Sequence, residues 1–170
     1  VSGDVAVDAT ALAIDIKGGV SRAGQDASVS LVASGDDNWA TARAFTVNLA
    51  AGLGDAASVT FKGDIAVPDG AEPSVKGKYA VSSASPRDVM IWAIGAAVPE
   101  LEGLADLTLA GEVDLGEAGV AFSGAGGVVR DGKRATVDLK AAGGVNWQTD
   151  MAFEVDASLN VDGMARASYV

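Results

Sequence analysis

With 170 residues and a formal charge of −11, the chain is long enough for one ordinary domain and too acidic for a nucleic-acid binder, which needs clustered Lys and Arg to meet phosphates. It has no His and no Cys, which removes the commonest general base, the commonest metal ligand and any disulfide frame. Gly and Ala abound while aromatics make up 5%, so a core of large side chains is not what this composition builds.

Apolar residues recur at every second position along most of the chain, the period of a half-buried strand. Val5 and Val7, then Leu12, Ile14 and Ile16, predict one or two strands closing at Gly18-Gly19. Val29, Leu31 and Ala33 predict another, ended by the turn-like run Ser34 to Asn38. Ala42 to Ala50 alternates through Phe45, Val47 and Leu49. Val59, Phe61, Ile65 and Val67 form a longer strand that stops at Pro68-Asp69-Gly70, and Val75, Tyr79 and Val81 return from it.

There the pattern breaks once. Ser85 suits a helix N-cap, Pro86 the first helical position, and Asp88 the acid of a capping box. Val89 to Ile94 follow without a polar residue, and Gly95 then Pro99 forbid continuation, which predicts a helix over 86–94. So short and apolar a helix needs a greasy partner surface.

Leu107 to Leu115, Val120 to Phe122, and Val128 to Val129 resume the strands. Asp131-Gly132 predicts a type I′ hairpin turn. Ala135 to Leu139, Val145 with Trp147, and Phe153 to Val161 complete about ten to twelve strands. The strand pattern already runs at Val5 and still runs at Val161, so 1–170 reads as a single β-rich region cut from a longer repetitive domain.

One internal repeat stands out. SVTFKGDIAV (58–67) and DLTLAGEVDL (106–115) share the pattern apolar-Thr-apolar-x-Gly-acid-apolar-x-apolar. Gly63 and Gly111 fall where an in-facing side chain belongs, which predicts a bulge or the close approach of another element. An open sheet of so many strands has to curl. The fold class that follows is mainly β: a long, curved and twisted antiparallel sheet, gutter-like, with one short apolar helix.

Motifs for chemistry fail on inspection. Gly124-Ala125-Gly126-Gly127 lacks the third glycine of a dinucleotide loop, since Val129 stands there. Ser158-x-Asn160-x-Asp162-Gly163 echoes a calcium loop but has Ser first and Tyr169 last. Ser123 has no His to activate it. Carboxylate pairs such as Glu100 with Glu102, or Asp150 with Glu154, are expected on any solvated face of a chain with 23 acidic residues. Trp39 and Trp147 read as packing at sheet edges. No catalytic residue, metal site or cofactor is nominated, and the chain reads as a non-enzyme.

Residues 58 to about 145 nevertheless carry an ordered combination: VTFKGDIAV, PSVKGKYAVSSAS, the helix DVMIWAIG, a P-x-L-x-G-L linker, LTLAGEV, and a hairpin with GKRATVDL. This order resembles the AsmA family of bacterial envelope proteins, with its TamB-like relatives. The resemblance implies a periplasmic protein, anchored in the inner membrane by a segment not present here and serving outer-membrane biogenesis. In such proteins a β-gutter passes phospholipid acyl chains along its apolar face. Alternation places Val59, Phe61, Ile65 and Val67, and in the repeat Leu107, Leu109, Val113 and Leu115, on such a face, with Trp92 partly covering it. Two other readings remain open. The same face could be packed shut by the helix and a second layer, or the chain could be a structural or adhesive solenoid or sandwich module of a secreted or surface protein.

Overall fold

The computed structural model describes residues 2–7, 12–22, 24–35, 43–70, 72–145, 153–161 and 167–169. They form one antiparallel sheet of eleven strands laid down in chain order, each paired with its sequence neighbours. The strands are β1 (Ser2–Val7), β2 (Leu12–Arg22), β3 (Gln25–Gly35), β4 (Ala44–Leu53), β5 (Ala57–Ala66), β6 (Ser74–Ser83), β7 (Leu104–Gly116), β8 (Gly119–Arg130), β9 (Lys133–Gly143), β10 (Phe153–Val161) and β11 (Ala167–Tyr169). The sheet is open, with β1 and β11 at its two edges.

Among the described residues there is one α-helix, α1 (Pro86–Ile94), with the bounds the sequence predicts. The Ser85 side chain accepts the Asp88 N–H at 3.4 Å, and Gly95 closes the helix in the left-handed conformation with φ 77°. No residue of α1 is buried, and it packs chiefly against β7. It lies across the end of the sheet. A Cβ on Gly95 would stand 3.8 Å from the guanidinium of Arg22, at the end of β2. The C-terminal end of α1 therefore lies near the end of β2, although the helix starts just after β6.

The strands differ from expectation where glycine is dense. β2 continues through Gly18-Gly19 to Arg22, and β8 is one strand through Gly124–Gly127. Gly63 makes no bulge, because β5 pairs with β6 without a break from Ala57↔Ser83 to Ala66↔Ser74. The irregularity sits in β7, where the register to β8 shifts between Ala105 and Thr108 and Asp106 has φ 48°. Val67 falls just beyond β5, its N–H donating to the Arg43 carbonyl at 3.0 Å. Asp131 (φ 51°) and Gly132 (φ 77°) form the expected two-residue turn between β8 and β9. The expectations for Trp39, Trp147 and Asp150 lie outside the described residues.

Candidate functional site: an uncovered apolar face

Register turns period-two alternation into a surface. Leu49, Phe61, Tyr79, Gly111, Gly124 and Leu139 stand opposite one another across six strands. The next rows are Ala51–Val59–Val81–Leu109–Gly126–Val137 and Val47–Gly63–Gly77–Val113–Phe122–Ala141. Ile65 and Leu115 share a further row through Val75. Seven of the predicted contact residues thus share one face: Val59, Phe61, Ile65, Leu107, Leu109, Val113 and Leu115. Val67 lies outside the strand, and Trp92 is half-buried on α1.

Nothing among the described residues closes over this face. Among the described residues no side chain is fully buried, and the buried apolar ones are Leu12, Ala33 and Leu53. Val20, Val29, Val59, Val155 and Leu159 all belong to the face and are exposed, Val59 at 39%. A two-layer protein buries such a face against its second layer. Here there is one layer with its apolar side half in water.

The glycines shape the face. Gly63 stands opposite Gly77, and Gly111 opposite Gly124. A Cβ on Gly63 would lie 2.5 Å from the Gly77 Cα, and one on Gly111 would lie 2.8 Å from the Gly124 Cα. Directly opposed backbones in a flat pair stand about 4.5–5.5 Å apart, so both hairpins fold up towards the apolar side. Each bare pair is then covered from the flank. Phe61 lies over Gly77, with Cε2 2.8 Å from the place of a Cβ, and Leu109 lies over Gly124 at 3.1 Å. The sequence repeat is thus a structural one: a large apolar residue two positions before a glycine shields the glycine of the next strand. Tyr79 reaches across β7, stacks on Phe122 with centroids 5.1 Å apart, and donates its hydroxyl to the Ser123 carbonyl at 3.0 Å. Burial raises the Tyr79 phenol above its ordinary value of 10.0.

The opposite face is polar and laced with cross-strand pairs. Lys76 meets Asp114 at 2.8 Å, Lys78 meets Glu112 at 3.5 Å, and Thr46 donates to Asp64 at 2.8 Å. The hydrogen bond and charge of Asp114 hold the Lys76 ammonium above its usual range. A hollow of about 630 Å³ opens on this side over Ala121 and Ala142, walled by Lys76, Lys78, Lys140, Glu154 and Asp156. Among the described residues no group of His, Cys, Asp or Glu is arranged to hold a metal ion, and no helix is long and apolar enough to cross a membrane. No family model, curated protein or solved structure matches the chain.

Proposed function

We propose that this chain binds phospholipid acyl chains along its uncovered apolar face, as a non-enzymatic cell-envelope protein of the AsmA type. The observation that carries the reading is a single-layer sheet whose apolar side no other described residues cover. A hydrocarbon chain lying in the rows of Phe61, Tyr79, Leu109 and Leu139 would replace water over side chains that are only half covered. Burial of acyl groups is worth about 0.8 kcal/mol per methylene, so affinity grows with the length of chain that the face covers. The polar side stays in solvent.

In this reading the protein works in the periplasm, tethered to the inner membrane by a segment not present here, and its cargo is phospholipid in transit to the outer membrane. The test is mass spectrometry of the organic extract after mild purification, with displacement of a fluorescent fatty acid as a second readout. Co-purifying phospholipid and saturable displacement are expected. An extract free of lipid, together with no uptake of the fatty acid, refutes the reading.

A further inference from the structure

We infer that the α1 end of the sheet is a membrane-docking tip, which inserts the exposed side of α1 and the turn after it into the surface of a phospholipid bilayer. From Val89 to Pro99 there is no charged residue. Within that stretch Ile91, Ala93, Ile94, Gly95, Ala96 and Ala97 are exposed, Ile94 at 60%. An apolar helix lying flat at the rim of a fold, with cations beside it, has the make-up of an interfacial element.

The cations are Lys133 and four of the chain's six arginines. Arg87 is on α1, and the Arg22 guanidinium lies near Gly95. Arg130 and Arg134 flank the β8–β9 turn, which the Asp131 N–H ties to the Gly103 carbonyl at 3.1 Å, just past α1. All four are exposed. Arginine pairs with phosphate through a planar fork and does so well at interfaces. The partner that supplies hydrocarbon beneath a layer of phosphates is a bilayer. Asp26, Asp55, Asp88, Glu102, Asp106 and Asp131 share this end, so net positive charge does not drive the contact. Apolar insertion carries it, with the arginines meeting phosphates, so binding survives moderate salt. The inference goes beyond acyl binding along the face, and either can stand without the other.

The native chain has no Cys, so single labels are clean. An environment-sensitive dye is placed on Ile94→Cys and, at the far end of the sheet, on Glu117→Cys. Each protein is mixed with vesicles of phosphatidylcholine containing one quarter phosphatidylglycerol. The dye at 94 is expected to brighten severalfold and shift to the blue while the dye at 117 does not change. In flotation, the unlabelled Ile91→Glu, Ile94→Glu double variant is expected to lose at least tenfold in vesicle binding with an unchanged circular dichroism spectrum. Arg22→Gln with Arg87→Gln is expected to lose several-fold on the same vesicles. Absence of flotation, equal brightening at 94 and 117, or full flotation of the Ile91, Ile94 double variant overturns the inference. None of these results touches the acyl-binding reading, which is judged from extracted lipid.

Discussion

Replacing Gly111 by alanine should cost far more than a methyl group ordinarily does in a strand. The added Cβ would run into the Ser123 carbonyl oxygen and lie 2.8 Å from the Gly124 Cα, both of them backbone atoms that no rotamer change can move. Strands β7 and β8 would have to separate, and forced overpacking of this kind costs about 1–3 kcal/mol. For a chain of this size that lowers Tm by roughly 3–10 °C. Gly52→Ala is the matched control, since its nearest neighbours would be 3.5 and 3.6 Å away, an ordinary contact. There, lower freedom of the unfolded chain should stabilise by about 0.5 kcal/mol. Urea denaturation of both variants reads the two signs directly. Equal effects at 111 and 52 would refute the claim that paired glycines fold the sheet towards its apolar side.

Three further outcomes follow from the geometry. Tyr79→Phe removes the hydroxyl bonded to Ser123 while keeping the stack on Phe122, and should cost about 0.5–1.5 kcal/mol in urea titration. Because the folded-state pKa of Tyr79 is raised, its contribution is fully present below pH 10 and is lost as pH rises through the raised value. The alkaline limb of the stability profile should therefore flatten in Tyr79→Phe, and tyrosinate absorbance of a Tyr169→Phe background should titrate later than a free phenol. Gly95→Ala places a Cβ in the left-handed cap of α1, and should cost about 1 kcal/mol, seen as faster amide exchange in α1 with β7 unaffected.

How much of this was legible in the sequence depends on whether the information was local. The bounds of α1 and the 131–132 turn were readable because caps and turn residues act within four positions of themselves. The faces of β5 and β7 were readable because alternation needs no knowledge of the partner. Glycine misled at 18–19 and 124–127, where it suggested strand ends. Neighbouring strands hold those residues in the ladder through backbone bonds that need no side chain. At Gly63 the sequence left a bulge and a close approach both open, and only the register with Gly77 decides for the close approach. That register joins residues 14 apart and is set by the whole β5–β6 hairpin. The pairing of Gly111 with Gly124 and the reach of Tyr79 to Phe122 are non-local in the same way.

The central claim is that one side of this sheet meets hydrocarbon and the other meets water. A photo-reactive phenylalanine analogue, placed in turn at each position from Val59 to Ile65 except Gly63 and irradiated with phospholipid, tests it strand-wise. Positions 59, 61 and 65 should capture lipid while 60, 62 and 64 do not, giving a yield that alternates with period two. Uniform yield along β5, or none at 61, would contradict the account.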